Sequence, residues 1–339
     1  MYRSFPQKAS GIISKEPVSL LNGFFTYPVM HQPPLILIVG PTAVGKTELA
    51  IQLAERLNGE IVSADSRLFY RGMDIGTAKP TQEEQRRVPH HLIDIVDPDE
   101  ILSLAVFQQK AREAIADIHT RNKIPFLVGG TGQYIRAVTE GWTPPAVEPD
   151  ERLRGELERM KAERGVYWLY EKLKQFDPVA AEKIDARNYR RTIRALEVIL
   201  TTGKRFSAQR GQSESPYQLL TIGLTRPRTE LYERVDQRID RMFASGFLQE
   251  VKRLLSRGYS PSLPAMSAIG YRECIRVLNG EIDEEQAKAQ IRRITRIFVR
   301  RQANWFKESD PNIKWFRVEA GVVDEIESYI RHALENVVK

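Results

Sequence analysis

Leu35-Ile36-Leu37-Ile38-Val39-Gly40-Pro41-Thr42-Ala43-Val44-Gly45-Lys46-Thr47 is the stretch whose reading decides the fold. Its start, through Val39, is a continuous apolar run, the pattern of a strand buried on both faces of a parallel sheet. The remainder, Gly40 to Thr47, matches G-x-x-x-x-G-K-[ST] in full. From Thr47 onward, Leu49, Ala50, Leu53, Ala54 and Leu57 recur at the spacing of an amphipathic helix, and Gly59 stops it. Strand, glycine-bounded loop and helix form the setting in which backbone N–H groups turn inward around phosphate oxygens. The helix N-terminus adds positive potential, Lys46 adds a point charge, and the Thr47 hydroxyl suits Mg²⁺. Gly40, Pro41, Thr42, Ala43, Val44, Gly45, Lys46 and Thr47 therefore read as a cradle for a di- or triphosphate, without saying which one.

Working outward, Glu60-Ile61-Val62-Ser63-Ala64 reads as a second strand. Ile124-Pro125-Phe126-Leu127-Val128 reads as another, after a helical pattern from Leu104 to Ile118. Alternating strands and helices predict an α/β class: a P-loop, doubly wound parallel sheet. The character changes at Trp142-Thr143-Pro144-Pro145, and residues 150–210 hold long charged helical patterns before a strand returns at 216–224. The expected organisation is a core of residues 33–145 and 214–320 whose C-terminal region is helical. A helical insertion at 146–213 interrupts it, and 321–339 form a tail. Residues 1–32 fit neither a signal nor a transit peptide, because Asn22, Gly23 and Pro28 interrupt their apolar patch and they hold a single arginine. They read as a disordered extension.

An acidic residue that helps to hold Mg²⁺ usually ends a strand beside such a loop. The strand at 124–128 ends instead in Gly129-Gly130-Thr131-Gly132, and the nearest carboxylate after a strand is Asp65. A lone Asp there is most often a helix cap or turn former, so sequence context by itself does not make Asp65 catalytic. Composition excludes little: 42% hydrophobic and 28% charged residues in 339 are an ordinary globular mixture. No apolar run approaches the roughly 20 residues a membrane span needs, so no membrane association is expected. Cys274 is the only cysteine, which rules out an internal disulfide and gives no sign of an oxidising compartment. A net charge of +7 permits a polyanionic partner where the charge is clustered. Arg187, Arg190, Arg191 and Arg194 share one helical pattern, and Arg292, Arg296 and Arg300 recur every four residues with Arg293 and Arg301 beside them. With few acids nearby in sequence, these rows read as phosphate contacts that position a nucleic acid.

Taken together, these segments closely resemble the bacterial tRNA dimethylallyltransferase family, also called tRNA isopentenyltransferase. The resemblance runs through the P-loop and Asp65-Ser66, then Tyr70-Arg71-Gly72-Met73-Asp74-Ile75-Gly76-Thr77-Ala78-Lys79-Pro80, which is nearly family-specific. It continues in His90-His91-Leu92-Ile93-Asp94, Val128-Gly129-Gly130-Thr131-Gly132-Gln133-Tyr134 and Arg194-Ala195-Leu196-Glu197-Val198. Ile269-Gly270-Tyr271-Arg272-Glu273 and Arg300-Arg301-Gln302 before Trp305-Phe306 complete it.

The resemblance implies a cytoplasmic, monomeric enzyme that binds dimethylallyl diphosphate and Mg²⁺ on the P-loop. It would transfer the dimethylallyl group to N6 of the adenosine 3′ of the anticodon in the tRNA stem-loop. By resemblance Asp65 is the base, Thr131 lies near the diphosphate and the reaction channel, and Arg154 of the insertion closes on the diphosphate. The expected tRNA contacts are Asp65, Ser66, Arg67 and Leu68, then Arg190, Arg191 and Arg194, then Ser267, Gly270, Tyr271 and Arg272. Arg292, Arg296 and Arg300 join them from the arginine row. Tyr271 and Trp305 are aromatic residues able to stack on bases, and core packing is the expected role of Trp305. Leu68 and Ser267 depart from the commoner family pattern, as does Ile297; none of these departures falls in the P-loop or at Asp65 or Thr131. The competing readings are an adenylate isopentenyltransferase acting on free nucleotide, a P-loop kinase, and an RNA-binding protein with a vestigial loop.

Overall fold

Pro34–Val39 forms β1, every residue of it buried, and it runs between two parallel neighbours. The computed structural model describes residues 32–142, 147, 150–209 and 214–335, so all but the last residue of the expected N-terminal extension lies outside the described residues. After β1 come α1 (Lys46–Arg56), β2 (Gly59–Ser63), α2 (Gln82–Arg87), β3 (His90–His91), α3 (Leu104–Thr120), β4 (Ile124–Val128) and α4 (Gly132–Thr139). Four helices follow: α5 (Glu151–Arg164), α6 (Val166–Phe176), α7 (Pro178–Glu182) and α8 (Tyr189–Thr202). The chain then returns through β5 (Gln218–Thr225) to α9 (Arg228–Ala244), α10 (Phe247–Ser256), α11 (Tyr271–Leu278) and α12 (Glu284–Gln302). It closes with β6 (Ile313–Arg317) and α13 (Val322–Glu335).

The strands form one sheet in the order β3-β2-β4-β1-β5-β6, every pairing parallel. Central strands with both faces covered are mostly apolar, which is why β1 and β4 read as runs rather than alternations; β2, equally buried, also carries Glu60 and Ser63. Leu35, Ile36, Ile38 and Val39 are wholly inaccessible, each worth roughly 1.5–3 kcal/mol of burial. The helices α5 to α8 build a second apolar cluster of their own around Leu169, Leu173, Leu196 and Val198. It is separate from the cluster that covers the sheet.

The C-terminal part differs from its sequence reading. A sixth strand, β6, extends the sheet beyond β5, and the segment expected to be a tail folds as α13. Val322, Ile326, Ile330 and Leu334 bury one face of that helix at a spacing of about one turn. Arg56 at the end of α1 ties it down through Asp324 at 2.5 Å and Glu327 at 3.0 Å.

At the amino edge of the sheet, Glu60 is 1% exposed and accepts from His91 (2.7 Å), Lys123 (2.7 Å) and Arg121. Burial alone would raise the carboxyl's pKa; hydrogen bonds from Arg121, Lys123 and His91 outweigh it and bring it down to about 2. The carboxylate therefore contributes stability that is fully present above about pH 4.5 and lost as pH falls toward about 2. Glu60→Gln should cost roughly 2 kcal/mol near neutrality, below the cost of breaking a fully buried pair because Arg121 and Lys123 are half-exposed. It should also flatten the acid decline, as measured by urea unfolding through that pH range.

Candidate active site

At the carboxyl edge of the parallel sheet, three loops from adjacent strands meet, the position at which open α/β sheets bind their ligands. Gly40–Lys46 leaves β1, Gly129–Thr131 leaves β4, and Asp65 follows β2. Ala64 N–H donates to Val128 O at 2.8 Å, joining the β2 and β4 ends where they diverge.

The phosphate loop is held from outside so that its interior remains for an anion. Gly40 and Gly45 take φ of 146° and 109°, which a side chain would oppose, and a Cβ on Gly40 would lie 2.6 Å from Leu224 O. The Ala43 carbonyl accepts from Arg234 Nε at 2.8 Å and the Val44 carbonyl from Arg226 Nε at 3.0 Å. With those carbonyls turned outward, the N–H groups at the start of α1 carry the positive end of the helix dipole. Lys46 Nζ donates to Gly40 O (3.0 Å) and Pro41 O (2.9 Å). Burial lowers the pKa of this ammonium to about 8; nearby Asp65 raises it and Arg238 lowers it. Arg238 itself is shifted down by burial, then by Arg234 and Arg241, with Asp65 opposing. A lysine and two arginines so placed, pressed together against mutual repulsion, form a site that an oligophosphate would relieve. Sequence reading missed Arg226, Arg234 and Arg238. Their signal is an arginine pair four residues apart on the helix that follows the strand next to β1.

Asp65 is half-buried, and its Oδ1 accepts the Arg67 N–H at 3.0 Å. The turn-forming role expected of a lone Asp is thus real, and it leaves Oδ2 available. Arg67 reaches across to Pro264 O at 3.3 Å and Ser267 Oγ at 3.2 Å. Two segments expected at the RNA, 65–68 and 267–272, are therefore brought together. Leu68 is half-buried and its carbonyl accepts from Asp94 N–H at 3.1 Å; Ser66 is also half-buried. Arg272 is exposed, and the Gly270 N–H donates to Glu273 in a helix cap at 3.0 Å.

Tyr271 does not lie where the sequence reading put it. It is wholly buried, its ring edge-on to Phe247, and its hydroxyl donates to Glu250 at 2.7 Å. Glu250, 1% exposed, also accepts the N–H groups of Asp74 (2.9 Å), Ile75 (2.7 Å) and Gly76 (3.2 Å). The nearly family-specific run around Gly76 is thus the seat of a buried carboxylate that fastens it to the 270s. Trp305 is also placed otherwise than expected: it is 39% exposed with Arg136 over its ring, not core.

The arginine rows are more paired than their sequence neighbours suggested. Arg292 meets Asp240 at 2.5 Å and Arg296 meets Asp236 at 2.5 Å, both acids coming from α9. Arg300 is exposed and, among the described residues, donates to the Tyr232 hydroxyl at 3.4 Å. A groove of about 510 Å³ runs along α12 past these residues. In the insertion, Arg154 Nε meets Glu197 at 2.8 Å and Arg194 meets the same carboxylate at 2.6 Å. Glu197 is fully buried, so both arginines are anchored by it, while Arg190 and Arg191 are exposed. Arg154 is therefore tied within its own helical cluster rather than to the P-loop.

The description IPP transferase matches residues 68–309, and Isopentenyl transferase matches residues 33–96. The chain belongs to the IPP transferase family. It is 56% identical over 280 residues to the tRNA dimethylallyltransferase of Roseiflexus sp. (strain RS-1), covering 83% of this chain and 92% of that one. The tRNA dimethylallyltransferase of Thermomicrobium roseum is 46% identical over 302 residues, covering 89% and 92%. Among solved structures, the tRNA isopentenylpyrophosphate transferase of Bacillus halodurans is 44% identical with a TM-score of 0.68, covering 90% and 98%. A eukaryotic dimethylallyltransferase acting on tRNA is 28% identical with a TM-score of 0.74, covering 88% and 77%. The IPP transferase match takes in Asp94, Thr131, the insertion and α12, and the Isopentenyl transferase match takes in the phosphate loop and Asp65.

Proposed function

We propose that this protein transfers a dimethylallyl group from dimethylallyl diphosphate to N6 of the adenosine 3′ of a tRNA anticodon, releasing diphosphate. The observation that carries this reading is the complete phosphate loop, tethered by Lys46 and Arg234 with Arg238 close enough to act on Lys46, and Asp65 at the end of β2, one strand beyond β4. In a family whose relatives are named for modifying tRNA, we read that loop as the seat of the leaving group.

The exocyclic amine is a weak nucleophile because its lone pair is delocalised into the ring. Two aids answer this: charge neutralisation on the departing diphosphate and a base for the amine proton. The C1–O bond of the allylic diphosphate breaks, an N6–C1 bond forms, diphosphate leaves on the loop, and Asp65 takes the N6 proton. Lys46, Arg234 and Arg238 draw the leaving charge, and Thr131, at the end of β4, lies between the loop and Asp65 in strand order. Arg154 would complete the closure by leaving Glu197 for the diphosphate.

The donor set fits Mg²⁺ only with substrate present. Thr47 is exposed at the first turn of α1, and no group of three His, Cys, Asp or Glu among the described residues could hold a metal alone. Thr47 with diphosphate oxygens and water would supply the octahedral set, and the ion would neutralise leaving-group charge. Among the described residues no helix is long and apolar enough to cross a membrane, and we place the reaction in the cytoplasm.

The base to be modified is stacked in its loop and must be flipped out, at a cost of a few kcal/mol that backbone contacts can offset. Arg300→Gln is expected to flatten the dependence of tRNA affinity on log salt by about 0.7–0.9, one phosphate contact. Arg292→Gln and Arg296→Gln should change it less, since Asp240 and Asp236 already offset their charge. Equal slopes for all three would mean that the α9 acids do not compete with RNA. The reaction itself is tested with labelled dimethylallyl diphosphate and tRNA, AMP or neither as acceptor. Label should enter tRNA; label in AMP and not in tRNA would overturn the assignment.

A further inference from the structure

We propose that Gln302 is a positioning residue that sets the shape of the phosphate loop and fixes its distance from Thr131. It is the last residue of α12, the helix that carries the arginine row, and its side chain ends between the two loops. Its Oε1 accepts the Thr42 N–H at 2.7 Å, and its Nε2 donates to Gly130 O at 3.3 Å. The residue is 5% exposed, so both bonds are shielded from water and neither loop can substitute solvent at low cost. A primary amide offers an acceptor and a donor on one rigid plane, at the end of a side chain long enough to reach both loops. Glycine at 130 is what admits it, because a Cβ there would lie 2.3 Å from Gln302 Nε2.

The two tethered loops do different things. Thr42 lies in the cradle, between the carbonyls that Lys46 holds and the Ala43 carbonyl that Arg234 holds. Gly130 immediately precedes Thr131. One side chain therefore closes the gap left by the arginine and lysine tethers and joins the cradle to the β4 loop. With Gln302 in place, the loop keeps its form before ligand arrives, so that less ordering opposes binding. The inference rests on reading the loop as the diphosphate site.

Gln302→Met keeps the volume and removes both bonds, and Gly130→Ala keeps Gln302 but displaces its amide. Each should weaken inorganic diphosphate binding by about tenfold, from one to two lost buried hydrogen bonds, and raise KM for dimethylallyl diphosphate. Affinity for tRNA should stay within about twofold, which a general loss of structure would not spare. Gln302→Glu retains the acceptor, sets a carboxylate against Gly130 O and adds negative charge at the cradle, so it should be worse than Gln302→Met. Lys46→Ala is measured alongside. If it loses diphosphate affinity while Gln302→Met and Gly130→Ala keep the wild-type value, the role of Gln302 is refuted. If Lys46→Ala also binds as wild type, the diphosphate reading of the loop is itself wrong. Equal losses for diphosphate and tRNA would reduce Gln302 to a packing residue.

Discussion

Asp65→Asn is expected to slow prenyl transfer by about 100-fold or more at saturating substrates while leaving tRNA affinity unchanged, the scale of a lost general base. The substitution isolates basicity because of how the side chain is seated. Oδ1 of Asp65 accepts the Arg67 N–H, and an asparagine carbonyl oxygen can keep that bond and the turn it closes. Arg67 would then still reach Pro264 and Ser267, so the 65–68 and 267–272 segments keep their relation. What disappears is the anion able to take a proton from N6. Asp65→Ala would lose the turn as well, and should damage tRNA affinity along with the rate. Single-turnover transfer measured beside tRNA binding separates the two effects. Wild-type turnover in Asp65→Asn would remove this residue from the chemistry and leave it as the turn former that its sequence context most often denotes.

The parts legible in the sequence are those whose signal is local. β1, the phosphate loop and α1 declare themselves because a doubly covered strand is an uninterrupted apolar run and the loop needs glycine at fixed places. β4 follows by the same logic, and β2 and β5 by shorter apolar stretches, each within a residue or two of its observed ends. β6 escaped because an edge strand is covered less: Lys314 and Arg317 are exposed, so no apolar run marks it. The tail proved to be α13 because its apolar residues gain their meaning from α1, far away in the chain. Tyr271 was misplaced for a related reason. An aromatic beside a glycine in a family motif looks available to a base, and only the folded chain brings Phe247 and Glu250 around it. The arginine row was read correctly as a row and too generously as free charge. Asp236 and Asp240, four apart on α9, match Arg292 and Arg296 on α12 across a helix–helix contact that no spacing within α12 announces. Gln302 is a further case, 260 residues from its partner Thr42.

The second large effect is expected at Lys46. Lys46→Ala should weaken inorganic diphosphate binding and lower kcat/KM for dimethylallyl diphosphate by about 100-fold, since a charge-assisted contact to the leaving group is worth about 1.5–3 kcal/mol. Loss of the Gly40 and Pro41 tethers adds to it. A smaller loss would point to Arg234 and Arg238 as sufficient anion partners. Thermal stability gives the control. Burial and the nearby Arg238 hold this ammonium down at about 8 while Asp65 opposes them, so in the free protein its charge carries a cost. Removing a cation from beside Arg238 should therefore leave Tm unchanged or raise it, and lost binding cannot then be ascribed to unfolding. Thr47→Ala should act differently, shifting the Mg²⁺ concentration needed for half-maximal transfer while keeping more of the metal-free affinity for diphosphate. Calorimetric titration with inorganic diphosphate, with and without Mg²⁺, reads both. If the two variants bind it as tightly as wild type under both conditions, the loop that decides this fold is not where the leaving group sits.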